Sequence, residues 1–483
     1  MDVILNPSAS HFAFGKQKIR ERFVVEGSRA FSVAYVYANL NGNEAGRAIY
    51  DGGALVASGG KIMARGPRFL LDDWHLTTAV VDLDKNRVTR ARTASFEPSV
   101  SQAENGIVQV DHEFGTHLLP NKSSMATEKW ENSADLKEEE FARAVSLALF
   151  DYMRKSRSKG YVISLSGGAD SAACAVLVNL MFERMSKELS SEVRESKLAY
   201  WRDYRGECAD VLKTLYQSTR NSGDITRNAA AFIAESLGAQ HMSYDVDDLV
   251  EGYRTRTEKV LGRELRWVTD DIALQNIQAR VRAPGPWMLA NVYGALLIST
   301  SNRSEAAVGY ATMDGDTSGG IAPIAGIDKA FLLHWLRWME ERGPQGYGPL
   351  PTLEHINIQT PTAELRPREA TQTDEDDLMP YAVLERIERL AIRDKVGPEG
   401  IYHRLGGDFP DSNSDQRLEW VERFFGLFTR NQWKRERYAP SFHLDDQNLD
   451  PKTWCRFPIL SGGYALELAE LRGRVSVAKS STR

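Results

Sequence analysis

The sequence predicts an α/β protein: a doubly wound parallel sheet wrapped by helices, preceded by a smaller segment that is mainly β. Three observations carry this reading. Short apolar runs alternate with helical periodicity from about residue 136 to about residue 330, as in a parallel sheet with helical crossovers. A glycine- and serine-rich turn separates one of those runs from the helix after it. The first ~115 residues instead hold aromatic and branched runs bounded by paired glycines, which is the composition of strands and tight reversals.

Taken in order, Phe31 to Tyr37 reads as a strand. Gly52-Gly53 and Gly59-Gly60 bracket Ala54-Leu55-Val56-Ala57 and permit reversals at positive φ. Thr77 to Leu83 adds another predicted strand, and residues 116–135, with Leu119-Pro120-Asn121-Lys122-Ser123-Ser124, read as a linker. Ser133 can cap a helix whose early turns hold Glu138 to Glu140. Phe141, Val145, Ala148 and Tyr152 then share one helical face. Lys159-Gly160 closes that helix, Tyr161 to Leu165 is a short buried strand, and a second helix begins near Ala172. Residues 182–212 read as a solvated, charged helical excursion, and Trp335 and Trp338 as core residues at helical spacing. From about residue 380 the chain reads as mostly helical, ending in a disordered polar tail, Ala478 to Arg483. The domain division is therefore 1–115, a linker at 116–135, and 136–483.

Composition narrows the function. A chain of 483 residues with 42% hydrophobic and 26% charged residues can bury a sizeable core. A net charge of −6 and a pI near 6.0 argue against a nucleic-acid-binding surface. Cys174, Cys208 and Cys455 are too few and too scattered for a disulfide framework or a zinc pattern, which suits a reducing cytoplasm. The apolar runs are strand-sized, short of the ~20 residues a membrane span needs, and no signal peptide is legible at Met1 to Leu5. His11, His75, His112 and His117 have no metal-ligand spacing.

The sharpest feature is Ser166-Gly167-Gly168-Ala169-Asp170-Ser171, directly after the buried run ending in Ser164-Leu165. Adjacent glycines let backbone amides approach an anion, and the following helix N-terminus adds unpaired N–H groups and a positive dipole end. Ser166 and Ser171 supply hydroxyls, and Asp170 can hold a Mg²⁺ ion that bridges phosphate oxygens. The loop lacks the GK[ST] ending of the Walker motif, so kinase or GTPase chemistry is not implied. A tight turn with no ligand is the bland alternative.

This SGGxDS loop resembles the PP-loop of the ATP pyrophosphatases. That resemblance implies cleavage of ATP between its α and β phosphates, with AMP placed on a substrate oxygen. Six further segments resemble the NAD synthetases within that group: Asn276 to Arg282, Leu297 to Glu305, Gly309 to Asp316, Pro323 to Lys329, Pro361 to Leu365 with Gln372 to Glu375, and Trp433 to Arg435. The resemblance implies a doubly wound PP-loop synthetase domain. It implies that Ser164, Leu165, Ser166, Gly167, Gly168, Ala169, Asp170, Ser171, Thr300, Lys329 and Thr362 bind ATP. It likewise puts Asn276, Arg280, Glu305, Tyr310, Thr312, Met313 and Lys434 at the second substrate, nicotinate adenine dinucleotide, and Asp170 and Glu305 at Mg²⁺. Singly, Glu305 reads as a surface carboxylate, Lys329 as a solvated helix residue and Thr300 as a capping hydroxyl; the linear order reverses those readings. Met313 and Gly320 depart from the small ammonia-dependent synthetases, which carry a lysine and an acid there, and fit the longer glutamine-dependent branch better. The implied activity is amidation of the dinucleotide carboxylate through an adenylate, by a homo-oligomer with a dimeric synthetase core.

Asn6 to Phe12 with Gly15-Lys16, and Tyr50 to Ala54, resemble part of a nitrilase-like glutaminase domain, an αββα fold, with Ser10 and Lys16 at glutamine-binding positions. Such domains use a Glu, Lys and Cys triad, and the first ~115 residues hold no cysteine. The expectation is a partial domain without glutaminase activity, the chain using free ammonia. Two rival readings stay open: another PP-loop enzyme, such as a GMP synthetase or tRNA-modifying ligase, and a nucleotide-binding assembly partner without turnover.

Overall fold

In the computed structural model, the described residues are 1–44, 46–93, 110–111, 128–359, 365 and 374–481. They fall into two units, Met1–Gly42 with Tyr50–Lys137, and Asn43–Ile49 with Glu138–Arg483.

In the first unit β1 (Val3–Ser8) runs parallel to β2 (Ala34–Asn39), which pairs antiparallel with β3 (Leu55–Ser58), itself antiparallel to β4 (Lys61–Arg65). Val24, Tyr35, Tyr37, Leu55 and Ala57 form its core. The mainly β expectation misses a 15-residue helix, α1 (Lys16–Ala30). Its buried residues are Arg20, Val24 and Ser28, so no apolar stripe announces it. Arg20 is drawn inward by Asp51, with Nη1 at 2.6 and 2.8 Å from the two carboxylate oxygens, and Arg68 donates to the same carboxylate at 3.1 Å. The predicted strand at Thr77 to Leu83 is not one. Asp82 instead caps α2 (Leu83–Ala91) by accepting from the Lys85 amide at 2.9 Å, and that cap overrides the β propensity before it. Of the predicted linker, residues 128–135 are described, and there Trp130 is buried against Phe69.

The second unit contains a fully parallel sheet of β5 (Tyr161–Ser164), β6 (Leu212–Ser218), β7 (Gln240–Asp245) and β8 (Leu296–Ile298), in spatial order β8-β5-β6-β7. The chain moves outward from β5 through β6 to β7, then returns to the other side of β5. The switch point between β5 and β8 is where open parallel sheets bind ligands, because the loops after those strands diverge there. α3 (Leu136–Ser156) and α10 (Lys329–Glu341) pack through Phe141, which meets Trp335 edge-on at 5.1 Å. Trp335 and Trp338 are both buried. α4 (Ala169–Glu188) starts three residues before the predicted Ala172, inside the glycine turn. Residues 182–212 are not a solvated excursion: Leu198 and Trp201 are buried, and buried Arg184 donates to the Arg143 carbonyl at 2.8 Å. α5 (Asp224–Ser236) connects β6 to β7, α6 (Asp247–Leu261), α7 (Trp267–Val281) and α8 (Pro284–Tyr293) lie between β7 and β8, and α9 (Arg303–Val308) follows β8. A helical layer of α11 (Tyr381–Glu388), α12 (Pro398–Asp408), α13 (Ser414–Arg430) and α14 (Ala465–Ser481) closes over its own core, including Phe424 and Phe425. The predicted disordered tail is instead helical to Ser481, because Leu471 and Val475 anchor α14 in that core. Among the described residues no helix is long and apolar enough to cross a membrane.

Candidate active site

The loop after β5 is held as a ring by its own serines. Ser171 Oγ accepts from the Ser166 amide at 3.2 Å and lies 3.1 Å from Ser166 Oγ, and Ser166 Oγ accepts from the Gly168 amide at 3.3 Å. Gly167 sits at φ +83°, and a Cβ there would lie 2.1 Å from the Thr226 carbonyl oxygen. Only glycine fits that combination of left-handed backbone and close approach. Asp170 falls in the first turn of α4, where the helix dipole favours a negative charge.

The loop after β8 answers it. Asn302 caps α9, accepting from the Glu305 amide at 2.9 Å. The same side chain's Nδ2 donates to Asp170 Oδ1 at 2.8 Å and to Glu305 Oε1 at 2.7 Å. One amide thus joins the two carboxylates. The other oxygen of Asp170 is paired with Lys329, the first residue of α10. Lys329 is placed in turn by the Ser304 hydroxyl, which accepts from its amide at 3.2 Å. Buried Arg303 ties the two helix starts together, donating to Asp328 Oδ2 at 2.9 Å and to the Gly326 carbonyl at 2.9 Å.

These groups line a cavity of about 250 Å³. Of the residues expected at ATP or metal, Ser164, Ser166, Gly168, Ala169, Asp170, Ser171, Thr300, Glu305 and Lys329 are in its wall, as is Tyr310. Leu165 is buried beneath it, with its amide donating to the Leu215 carbonyl at 2.9 Å. Thr362 lies outside the described residues. Asn276 and Arg280 line a separate groove of about 770 Å³ along α6 and α7. They also grip the turn 309–316: Asn276 accepts from the Thr312 hydroxyl at 2.9 Å, and Arg280 donates to the Met313 carbonyl at 3.0 Å. Lys434 donates to the carbonyls of Gly309 at 2.6 Å and Ala311 at 2.8 Å, so its ammonium is engaged with that turn. Thr312 and Met313 are buried within it. Ser10 and Lys16 belong to the first unit, where the Ser10 hydroxyl accepts from Arg20 at 3.1 Å.

Sequence reasoning missed several cavity residues. Tyr216 and Gln217 lie in β6 and Ser222 and Thr226 beyond it, Arg282 caps the end of α7, Asp316 closes the glycine turn, and Arg337 lies on α10. Asn302 lies inside the segment Leu297 to Glu305 and has no role of its own in that reading. The Thr312 amide donates to the Asp316 carboxylate at 2.9 Å. Burial, then the nearby Glu305 and Asp316, raise the Tyr438 phenol far above its ordinary value. Burial likewise keeps the Cys174 thiol protonated, so it is no nucleophile.

A Mg²⁺ ion that also binds substrate phosphates needs one or two protein carboxylates, and Asp170 and Glu305, joined through one amide, fit that requirement.

A parallel sheet whose switch point carries a serine–glycine phosphate loop, opposite a lysine and two linked carboxylates, defines a PP-loop synthetase domain. The sequence pattern of the NAD synthase family matches residues 141–436. The glutamine-dependent NAD(+) synthetase of Bos taurus is 31% identical over 492 residues, covering 95% of this chain and 68% of its own length. The crystal structure of a glutamine-dependent NAD(+) synthetase from Cytophaga hutchinsonii is 44% identical with a TM-score of 0.77, covering 97% of this chain and 70% of that one. That from Acinetobacter baumannii, in complex with ADP, shares the fold at 20% identity and a TM-score of 0.53, with coverage of 96% and 68%. The chain belongs to the NAD synthase family.

Proposed function

We propose that this chain catalyses the ATP-dependent amidation of nicotinate adenine dinucleotide to NAD, the last step of NAD biosynthesis, as a carbon–nitrogen ligase. The observation that carries this reading is the Asn302 amide joining Asp170 to Glu305 in a cavity that also holds the phosphate loop and Lys329. The dinucleotide carboxylate attacks the α phosphorus of ATP, the Pα–O–Pβ bond breaks, and pyrophosphate leaves with the electron pair. Ammonia then attacks the acyl carbon, AMP departs, and the surplus ammonium proton is lost to solvent.

In this scheme the loop amides and the Ser166 and Ser171 hydroxyls orient the phosphates. Lys329 neutralises charge on the oxygens between them, released from Asp170 as substrate enters. Asp170 and Glu305 are the proposed Mg²⁺ ligands, and the ion supplies charge neutralisation at the phosphates when bound. Thr300 and Thr362 are proposed ATP contacts. Asn276, Arg280, Tyr310, Thr312, Met313 and Lys434 are proposed to form the dinucleotide end, with Arg280 and Lys434 acting by fixing the 309–316 turn. No side chain needs to act as a covalent nucleophile.

Ammonia is the nitrogen donor proposed for the assay of this chain, whose three cysteines all lie in the second unit. Ser10 and Lys16 remain proposed glutamine contacts of the family's first domain. The free thiols suit a cytoplasmic location. The proposed assembly is a homo-oligomer with a dimeric synthetase core. The test is NAD formation by the purified chain with ATP, Mg²⁺ and the dinucleotide, with ammonium in one reaction and glutamine in another. NAD from ammonium alone is expected. No NAD in either reaction, from folded protein, overturns the reading.

A further inference from the structure

The mechanism above leaves parts of the cavity wall without a role. Tyr216 and Gln217 in β6, with Ser222 and Thr226 beyond it, form one stretch, and Glu305, Tyr310 and Asp316 another. The third is formed by Lys329, Leu333 and Arg337 of α10 with Ile356, Asn357 and Gln359. Positions 329, 333 and 337 are four apart, so they fall along one face of the helix, and Arg337 stands about 12 Å along the axis from Lys329. This third stretch carries two cations, Lys329, which is paired with Asp170, and Arg337. Its amides are engaged elsewhere: Asn357 donates to Glu340 Oε2 at 2.7 Å and Gln359 to the His355 carbonyl at 2.5 Å. Arg337 is exposed and makes no hydrogen bond or ion pair among the described residues.

The geometry points to Arg337 as a substrate-contacting residue that receives the terminal phosphates of ATP and holds the pyrophosphate they become. This rests on the adenylation reading. When the Pα–O–Pβ bond breaks, the electron pair stays on the bridging oxygen of the departing pyrophosphate, which gains negative charge. In this proposal that charge is met by Lys329 and Arg337, which line the cavity from one face of α10. A planar guanidinium can take two phosphate oxygens at once, which an ammonium cannot. Lys329 therefore serves the oxygens nearest Asp170, and Arg337 those furthest from the α phosphorus.

The test uses the full chain as wild type, Arg337→Ala and Arg337→Lys, with binding of inorganic pyrophosphate, ATP and AMP measured by titration calorimetry without dinucleotide. Because Arg337 is exposed, the variants are expected to fold, and circular dichroism checks this. The expected result is pyrophosphate and ATP binding weakened by about 10- to 100-fold in Arg337→Ala, partly restored in Arg337→Lys, with AMP unchanged. Pyrophosphate binding equal to wild type overturns the proposal, as does an equal loss for AMP. Should the wild type make no NAD while Arg337→Ala still loses pyrophosphate selectively, the anion site stands and the adenylation reading alone falls.

Discussion

Replacing Arg303 with Met removes the hub that ties α9, bearing Glu305, to α10, bearing Lys329. Arg303 is fully buried among three carboxylates: Asp445 at 2.9 Å, Asp328 at 2.9 Å and Glu388 at 3.4 Å. Burial works against its charge, and the combined pull of the three carboxylates outweighs it, leaving the group firmly protonated. They do not share the loss equally when it goes. Burial pushes the Glu388 carboxyl up to about 8, so at pH 7 it is largely neutral. The Asp445 side chain is 17% exposed and reaches water. Asp328, at 6%, is left as the uncompensated charge, while still capping α10 through the Phe331 amide at 2.7 Å. Breaking one partner out of a buried pair costs about 3–5 kcal/mol. For a unit of roughly 350 residues the unfolding entropy is about 0.7 kcal/mol/K, so Tm falls by about 4–7 °C. Scanning calorimetry at pH 7 on the transition of the second unit measures this. A fall under about 1 °C would refute the reasoning, showing that the cluster relaxes or hydrates without its arginine.

Four further outcomes follow from the same geometry. Glu388 is raised in the folded state, so the stability it contributes is full below pH ~4.5 and is lost as pH rises to about 8. Glu388→Gln should therefore flatten the decline of stability across that window, and an unchanged slope in denaturant titrations counts against it. Gly167→Ala, facing the Thr226 carbonyl from a left-handed backbone, should lower kcat/KM for ATP by at least about tenfold, since strain of 1–3 kcal/mol displaces the loop. Wild-type kinetics would show that the loop adapts. Asp170→Asn removes the partner of Lys329 and a proposed Mg²⁺ ligand, and should reduce kcat by about 10²–10³-fold in steady-state assays; a loss confined to KM contradicts that role. Lys434→Met frees the Gly309 and Ala311 carbonyls and should raise KM for the dinucleotide about tenfold while sparing KM for ATP, because each charged hydrogen bond contributes about 1.5–3 kcal/mol. Equal effects on both substrates would argue against that division of labour.

Where the physics was local, the sequence was readable. The phosphate loop declares itself because two glycines flanked by serines follow an apolar strand, and Gly167 is required by its contact with Thr226. The alternation of runs foretold the parallel sheet, and β5 lies where the apolar run from Tyr161 placed it; the alternation does not locate β6 and β7 individually. The rest depended on tertiary partners. α1 hides because Arg20 is buried by Asp51, 31 residues away, rather than by hydrophobicity. The end of α14, from Ala478, looked like a polar tail because the residues that hold the helix to the core, Leu471 and Val475, come before it. Nothing local shows that the Asn302 amide reaches Asp170, 132 residues earlier. Arg337 likewise reads as a solvated helix residue until the wall it shares with Lys329 is seen. The order of the motifs along the chain carried the family reading, whereas single residues did not.

The most direct test of the central claim is exchange of labelled pyrophosphate into ATP, run with and without nicotinate adenine dinucleotide and with ammonia left out. Adenylation in this cavity predicts exchange that needs the dinucleotide and Mg²⁺ and is lost in Asp170→Asn. Exchange without the dinucleotide, or NAD formation that leaves ATP intact, would contradict it.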